Sequence, residues 1–479
     1  MRTKAYFVGG AMLAIAGIGA AQTFHPDIPR AWDDKEVERL EVPLAQRNRS
    51  PRYLTAKEYY ALKVRTIYRT YPVYTPGREP AGYLESLKQK EPEIVFDVSK
   101  LHTKDDWIRA GELIFDYSPS FRSVPPGGVG RFPPGLVPTT RESIIPYGVQ
   151  YVVREKGTVE AGAEPPCSGC HQRVMPDGTA PMGAQSNFPF GPLGGRAPAS
   201  ARIVEQEWLF AGAPWVLKRD EFDKLVSAQE IVRRKGLMQP GVFEREGSSS
   251  SHPSHIPSLI GLESIKYLDS TGLMRHRSIG DLMRYVIVNY DLQLIAHYGD
   301  FQPLPQAEDA TRFSDEQLYA LALYIYSLQP PPNPNHFDDQ ARRGQRIFQQ
   351  QGCAGCHPPP VYTNNKLTPA PGFKVPEDLR KSDDIMDVSV GTDAGLATQT
   401  RRGTGFYKVP SLRGVWYRNA FSHSGQADTL EEWFDPARLY EDYVAKGFHL
   451  GPGPIRGHEF GLKLAPDDRQ ALIAFLKTL

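Results

Sequence analysis

Apolar residues recur at helical spacing in two stretches that align without gaps. Residues 314–328 read SDEQLYALALYIYSL, and residues 465–479 read APDDRQALIAFLKTL. Apolar positions three and four residues apart give a helix one hydrophobic face, so each stretch predicts an amphipathic helix. The stretches share a pattern of small, aromatic and aliphatic residues, in the pairs Ala320 and Ala471, Tyr324 and Phe475, and Leu328 and Leu479.

This correspondence is part of a longer internal repeat. A predicted helix carries Gly111 four residues before Phe115, and another carries Gly344 four residues before Phe348. A Pro-Ser-Leu segment then precedes each closing helix, at residues 257–259 and 410–412. Glycine allows the first and last helices of a unit to cross closely, so the repeat predicts two related helical units.

Composition and charge exclude some classes of protein. The chain has 479 residues, of which 40% are hydrophobic, and this is enough to bury two cores. It also has 43 glycines and 43 prolines, which predicts many ordered loops. The formal net charge of +1 gives no basic field of the kind that binds nucleic acid, so we expect no nucleic-acid partner.

The N-terminus has the pattern of an export signal. A basic head, MRTK, precedes the apolar run AYFVGGAMLAIAGIGAA, and this pattern predicts a signal peptide over residues 1–21 with cleavage after Ala21. An uncleaved membrane anchor is the alternative. No later run of about 18 apolar residues follows, so we expect a periplasmic or secreted protein that is not integral to the membrane once the signal is cut.

The four cysteines fall into two C-x-x-C-H motifs, CSGCH at 167–171 and CAGCH at 353–357. A disulfide between cysteines three apart closes a small, awkward ring. One zinc site built from both pairs would not explain a histidine at the fifth position of each motif. Thioether attachment of haem explains every residue of the pattern. We therefore predict two covalently bound haems c, held by Cys167, Cys170, Cys353 and Cys356, with His171 and His357 as iron ligands.

These observations predict an all-α fold with two cytochrome c-like domains, long Gly/Pro-rich loops and an N-terminal extension. One long loop is the insertion of about 50 residues between Phe115 and Cys167. The extension carries aromatic residues such as Trp32 and Tyr59 and is expected to wrap the haem domains. The expected division is residues 22–100 for the extension, 101–329 for the N-terminal domain and 336–479 for the C-terminal domain, with a proline-rich linker between the domains.

The segment KVPSLRGVWYRNAFSHSGQADTLEEWF resembles the bacterial di-haem cytochrome c peroxidases and their MauG relatives. The resemblance is strong over residues 340–479, weaker over about 105–330 and absent over 22–100. It implies that the N-terminal haem is the reactive one and that the C-terminal haem stores and passes electrons. The family motif carries over to Pro410, Ser411, Leu412, Arg413, His423, Gly425, Thr429, Leu430, Glu431 and Glu432, and it implies that Arg413 and His423 lie beside the C-terminal haem.

The chain departs from the family at the reactive haem. The family's relay tryptophan is missing, and Tyr267 is the nearest substitute. Leu282 stands where the family has the glutamine that moves peroxide protons, and Asp281 beside it is a candidate catalytic carboxylate. The family's calcium-binding T-x-P-Y is replaced by residues 418–421, RNAF, which leaves calcium binding open.

The resemblance does not settle the sixth ligand of either haem. The family position for the C-terminal haem is Ala437 here. The rubber oxygenases, which belong to the same superfamily, use a late histidine, which favours His458 over Tyr440 and Met386. At the N-terminal haem, an open position and four candidate ligands compete, namely Met175, Met182, Met274 and His276.

Two functions follow as hypotheses. The first is an oxidoreductase of the cytochrome c peroxidase and MauG type, which uses peroxide or dioxygen at the N-terminal haem and transfers electrons through the C-terminal haem. The alternative is a non-catalytic di-haem electron-transfer cytochrome. Either function implies a periplasmic protein that donates or accepts electrons as a partner.

Overall fold

A computed structural model describes residues 23–45, 52–124, 129, 132, 135–210, 219–245, 247–290, 296–297, 310–382 and 384–479. The predicted signal peptide lies outside these residues. Within them, none of the helices combines the length and the apolar character needed to span a bilayer.

Five helices organise the two halves of the chain: α1 (Lys104–Phe115), α2 (Ile279–Tyr290), α3 (Asp315–Ser327), α4 (Asp339–Gln350) and α5 (Pro466–Lys477). Capping boxes start α1, at Thr103 with Asp106, and α3, at Ser314 with Gln317. Each box satisfies backbone N–H groups that the first turn of a helix leaves free. Helices α1 and α3 pack together, and so do α4 and α5.

Both helix pairs cross at a glycine. A Cβ atom on Gly111 would lie 2.0 Å from the carbonyl oxygen of Ala320, and one on Gly344 would lie 1.9 Å from that of Ala471. Real Cβ atoms do not approach oxygen so closely, so only glycine permits these crossings. The residues that meet are the ones that the repeat aligned in the sequence.

The prediction of an all-α fold is wrong. The insertion before Cys167 and the N-terminal extension form a four-stranded antiparallel sheet from β1 (Thr70–Pro72), β2 (Phe121–Ser123), β3 (Gln150–Glu155) and β4 (Thr158–Gly162), in the order β1-β3-β4-β2. Side chains that alternate along β3 and β4 bury one face against Val73 and Leu87. Gly157, at φ +86°, makes the tight turn between β3 and β4.

The remaining elements are short. The α-helices are Asp34–Glu38, Ala56–Ala61, Tyr83–Lys88, Cys167–Cys170, Phe190–Gly194, Ala201–Phe210, Arg219–Phe222, Ala228–Gly236, Glu377–Ser382, Gly395–Thr398 and Leu430–Trp433. The 3₁₀ turns are Val98–Lys100, Leu262–Ser264, Cys353–Gly355, Val415–Tyr417 and Pro436–Leu439. Strand pairs join Arg52–Tyr53 with Ala296–His297, Lys63–Val64 with Thr311–Arg312, Val242–Phe243 with Ser254–His255, Tyr267–Leu268 with Met274–Arg275, and Leu367–Pro369 with Phe406–Lys408.

The N-terminal extension packs against both halves of the chain. Trp32 is fully buried in the core formed by α1, α2 and α3, where its ring stacks on Tyr59. Further along, the Ala45 amide donates to the Gly403 carbonyl at 2.9 Å, and Glu41 pairs with Arg402. The extension therefore contributes to the interior and touches the part of the chain that carries the second motif.

The crossing of α4 and α5 predicts a stability effect. Gly344→Ala gains helix propensity of at most about 1 kcal/mol, but its methyl group would overlap the Ala471 carbonyl. We expect a net loss of about 1–3 kcal/mol in the free energy of unfolding, measured by urea unfolding. Gly453→Ala is the control, because a Cβ there meets nothing within 4 Å. Equal stability of the two variants would contradict the close crossing.

Candidate functional site

The first C-x-x-C-H motif forms a single helical turn, Cys167–Cys170, with His171 at its end. The Nδ1 atom of His171 lies 3.0 Å from the carbonyl oxygen of Pro257, in the first Pro-Ser-Leu segment. Burial lowers the pKa of His171 to about 4, so the ring is neutral at pH 7. Iron-binding histidines commonly donate one ring N–H to a backbone carbonyl and present the other nitrogen to the metal.

The four cysteines all lie within the described part of the chain, and none is paired with another in a disulfide. Burial raises the pKa of the Cys170 thiol to about 11 and that of the Cys167 thiol to about 12. Across the described residues, no cluster of three or more His, Cys, Asp or Glu side chains could hold a metal ion by itself.

A small cavity of about 90 Å³ lies beside His171. It has room for water-sized molecules. Cys170, His171, Pro257 and Leu259 form one part of its wall. The rest of the wall combines apolar surface with polar side chains, which are those of Arg245, Ser248, Ser254, His255, Asp269, Ser270, Thr271, Tyr285 and Arg402. A buried cysteine beside a neutral histidine is the donor set that thioether attachment and iron binding require.

A hydrogen-bonded polar group lies on the cavity wall. Tyr285, on α2, donates its phenolic hydrogen to Asp269 Oδ1 at 2.7 Å. The guanidinium of Arg245 lies 3.9 Å from the same carboxylate and donates to the side chain of Asn289, one turn beyond Tyr285. Neither Arg245 nor Tyr285 is predicted from the sequence as a site residue, because neither belongs to a motif and their approach depends on the tertiary fold.

The second motif places two histidines face to face. His357 Nδ1 lies 3.0 Å from the Tyr362 carbonyl oxygen, and the rings of His357 and His458 have centroids 6.4 Å apart. A metal–nitrogen distance of about 2 Å on each side, together with the radius of each ring, gives a centroid separation of roughly 6 Å. The spacing therefore fits two imidazoles on opposite sides of one iron.

The surroundings of His458 also fit a ligand. Its Nδ1 atom is buried and has no hydrogen-bond partner among the described residues. An unsatisfied buried nitrogen in a native fold calls for a partner such as an ion. Burial, followed by the nearby His357, lowers the pKa of His458 to about 4, so its imidazole is neutral.

Arg438 holds the backbone that carries His458. Its fully buried guanidinium donates to the carbonyl oxygens of Gly457 at 2.9 Å and of His458 at 3.0 Å, and also to that of Ile455. It stacks over the Trp433 ring at 4.6 Å. His458 has a φ of +47°, an uncommon value for a residue with a side chain. Arg438 therefore fixes a backbone conformation that aims the ring at His357.

The geometry does not favour the other candidates for the sixth ligands. Tyr440 is 62% exposed, and the Met386 amide bonds to Leu367 at the edge of a strand. At the first motif, Met175, Met182, Met274 and His276 do not line the cavity. Both ring nitrogens of His276 are already hydrogen-bonded, at 2.6 Å each, to Ile265 and Tyr326.

Asp281 and Tyr267 lie away from the cavity wall. Asp281 forms ion pairs with Arg277 at 2.7 Å and Arg284 at 3.0 Å at the start of α2. Tyr267 is buried among Val42, Leu367, Leu379 and Phe406. Their catalytic roles stay predictions, and the structure does not bring either residue together with His171.

His423 and Arg413 occupy different surroundings. His423 stacks on Tyr407 with ring centroids 4.1 Å apart, and its Nε2 lies 3.7 Å from Asp393. Its carbonyl accepts from the backbone of His255, which lines the first cavity. Arg413 is exposed beside the second Pro-Ser-Leu segment. His423 thus lies where the two halves of the chain meet, and the predicted role of both residues beside a haem stays a prediction.

The first Pro-Ser-Leu segment contacts the 3₁₀ turn Val415–Tyr417, which follows the second one. The Ser258 hydroxyl lies 3.3 Å from the Tyr417 hydroxyl, and Tyr417 contacts Trp416 edge to face at 5.1 Å. Pro257, next to Ser258, accepts from His171, and the backbone of Pro410 hydrogen-bonds His357. A short connected path therefore joins the surroundings of the two motif histidines.

The residues at the position of the family's calcium loop do not fit calcium. Arg173 donates to Asn419 Oδ1 at 3.0 Å, the Asn419 amide donates to Gln185 Oε1 at 3.1 Å, and Asn419 Nδ2 donates to the Pro240 carbonyl at 2.6 Å. Calcium requires six to eight oxygen ligands turned towards it. Here the oxygens already accept hydrogen bonds, and a guanidinium lies beside them.

Comparison with known proteins supports the resemblance inferred from the motifs. Over 206 residues the chain is 26% identical to the cytochrome c551 peroxidase of Pseudomonas aeruginosa, a match that covers 40% of this chain and 52% of that protein. The chain thus spans about half the length of this curated relative. The match confirms the predicted resemblance to the di-haem cytochrome c peroxidase and MauG superfamily. No family model matches the chain.

Two solved structures are similar over part of the chain. Hydrazine synthase from Kuenenia stuttgartiensis aligns at a TM-score of 0.29 and 15% identity, covering 60% of this chain and 92% of that one. A MauG-like protein associated with microbial copper homeostasis aligns at a TM-score of 0.32 and 15% identity, covering 59% and 90%. At these scores nothing about function follows from the two likenesses.

Arg438 provides a test of how the His458 loop is held. Arg438→Met would leave the carbonyls of Ile455, Gly457 and His458 without their donor, and each buried unsatisfied acceptor costs about 1–3 kcal/mol. We expect a clear loss of stability and faster amide hydrogen exchange at His458. The exposed Arg456→Met is the matched control. Unchanged exchange in Arg438→Met would show that the loop is held by other contacts.

From the hydrogen bonds of the loop at residues 418–421, we predict that calcium does not change the thermal stability of the protein. Because a ligand that binds the folded state raises the melting temperature, calcium should leave that temperature unchanged. Thermal unfolding with added calcium chloride, or with a chelator, measures this directly. A calcium-dependent rise would show that the loop rearranges to release oxygen ligands.

Proposed function

We propose that this chain is a periplasmic di-haem c-type cytochrome that acts as an oxidoreductase of the cytochrome c peroxidase and MauG type. Residues 101–329 would form the N-terminal haem domain, residues 336–479 the C-terminal one, and residues 22–100 an extension that packs on both. Thioethers from Cys167 and Cys170, and from Cys353 and Cys356, would attach one haem in each domain. The name of the Pseudomonas relative supports peroxide as a substrate, and dioxygen is the alternative oxidant.

The difference between the two histidine sites carries this proposal. The ring of His357 faces that of His458 with 6.4 Å between the centroids, which suits an iron that both imidazoles would hold. His171 instead adjoins a cavity that carries polar side chains, where none of the four candidate ligands lies. An iron with every coordination position filled suits electron storage, and an iron with one free position suits binding of a small oxidant. The chain therefore has the asymmetry that a reactive haem and an electron-storing haem require.

The haems would supply the redox chemistry, and the side chains would control binding and orientation. The Pro257 carbonyl orients the His171 ring, as the Tyr362 carbonyl orients that of His357. Arg245 presents positive charge to the first cavity, where an oxidant gains negative charge as it is reduced. The contact of Ser258 with Tyr417 supplies a short route for electrons between the sites.

A non-catalytic electron carrier is the second candidate. The missing family glutamine, replaced by Leu282, favours it. The polar cavity beside His171 favours the oxidoreductase, because a carrier with two filled irons has no need of open space there. Either function requires a periplasmic partner protein that donates or accepts electrons.

Electron paramagnetic resonance of the oxidised protein distinguishes the oxidoreductase from the electron carrier. We expect one high-spin ferric signal from the open N-terminal iron and one low-spin signal from the C-terminal iron, and we expect peroxide to change the spectrum. Two low-spin signals that do not respond to peroxide, before or after half-reduction, would reject the oxidoreductase and leave the carrier.

His458 has its own test in the same spectrum. His458→Ala should convert the low-spin C-terminal signal to high spin, and added imidazole should restore it. His449→Ala is the matched control, because His449 lies in the same region and bonds to Gly447. A low-spin signal that survives in His458→Ala would assign the sixth ligand to another residue.

A further inference from the structure

We propose that Tyr285 and Asp269 form a proton-coupled redox pair on the wall of the first cavity, with Tyr285 as the electron donor and Asp269 as the proton acceptor. The inference rests on the proposed function, since it needs an oxidised haem in this cavity. It goes further by assigning an oxidisable side chain, and the path of its proton, to residues that belong to no motif.

Geometry singles out Tyr285. It is the one tyrosine among the described residues that line the cavity, which His171 also lines. Its hydroxyl points at a carboxylate, with 2.7 Å between the oxygens. Two other buried tyrosines have neutral partners: Tyr147 donates to the Asn187 side chain and Tyr407 to the Asp393 backbone carbonyl. A neutral amide or carbonyl is a poor proton acceptor, whereas a carboxylate is an effective one.

The backbone and a neighbouring charge fix Asp269 for this role. Asp269 has a φ of +62° and lies in a turn closed by the Gly272 amide, which donates to the Asp269 carbonyl at 3.2 Å. Arg245 lies 3.9 Å from its carboxylate and is anchored through Asn289 on α2. The carboxylate, the phenol and the guanidinium thus form one connected group, and all three residues line the cavity.

The resting pair holds its proton on the phenol. Burial, followed by the charge of Asp269, raises the pKa of Tyr285 above its usual value. The phenol therefore does not ionise at neutral pH while the haem is at rest. Loss of an electron makes the phenol a strong acid, so the proton leaves together with the electron.

Oxidation of Tyr285 is coupled to the reduction of peroxide. Reduction of one hydrogen peroxide to two waters consumes two electrons and two protons, and oxidises the haem-bearing protein by two equivalents. Tyr285 gives one electron to the oxidised first haem site, its O–H bond breaks, and the proton moves to Asp269. A neutral phenoxyl radical and a protonated carboxyl remain. One electron from an external organic donor, passed directly or through the second haem, restores the phenol as Asp269 returns the proton. A second electron from the same donor removes the other oxidising equivalent, and the two protons used by peroxide come from solvent.

Rapid-freeze electron paramagnetic resonance tests the pair in the full-length protein with both haems. After one equivalent of hydrogen peroxide, we expect an organic radical signal that narrows when ring-deuterated tyrosine is incorporated. Tyr285→Phe should abolish this signal. Asp269→Asn should slow its formation by about 100-fold, the usual scale of a lost proton acceptor. Tyr151→Phe, in the four-stranded sheet and away from the cavity, should keep it.

Haem absorption and unfolding by urea check that each variant is folded and loaded. If peroxide changes the wild-type haem spectrum but Tyr285→Phe gives the same radical as wild type, the inference is overturned and the proposed function stands. If peroxide leaves the wild-type haem spectrum unchanged, the proposed function fails and this inference fails with it. Loss of the radical in Tyr285→Phe with an unchanged haem response supports the pair.

Discussion

The hydrogen bond from each motif histidine to a backbone carbonyl is the interaction on which the candidate sites depend. His171 reaches Pro257, which is 86 residues away in the chain, so this contact joins the first motif to a distant loop. It leaves the second ring nitrogen for a metal and sets the direction in which that nitrogen points. The turn at Asp269 and helix α2 follow the Pro257 loop in the chain, so the placement of this loop contributes to the positions of Asp269 and Tyr285 on the cavity wall.

The two sites share this anchor and differ in what lies opposite the histidine. Opposite His357 the chain places His458, held by the buried guanidinium of Arg438. Beside His171 it leaves a polar cavity. The repeat in the sequence therefore produced two related arrangements, and among the described residues the second one brings another histidine to face the motif histidine. This difference supports a division of labour between a site that reacts and a site that stores electrons.

The N-terminal extension and the insertion before Cys167 explain why the all-α prediction failed. Alternating residues in QYVVRE and TVEAG, with a glycine turn between them, carry a hairpin signal that helical periodicity elsewhere in the chain obscured. The strand Thr70–Pro72 lies far away in the sequence and completes the sheet only when the fold brings it alongside β3. Pairing between distant strands leaves a weak local signal, because its hydrogen bonds join segments that the sequence keeps apart.

The sequence by itself determined the features that depend on local spacing. Spacing of three and four residues determined the crossing helices, the small residues at Gly111 and Gly344 marked where they meet, and the C-x-x-C-H spacing defined both candidate haem motifs. The late histidine at 458 was identified through the family resemblance. The tertiary structure alone decided that His458 faces His357, that Tyr267 and Asp281 lie away from the cavity, and that Arg245, Asp269 and Tyr285 meet on its wall. The physical reason is that a helical face repeats within a few residues, whereas a cavity wall is assembled from loops whose approach depends on the packing of the whole chain.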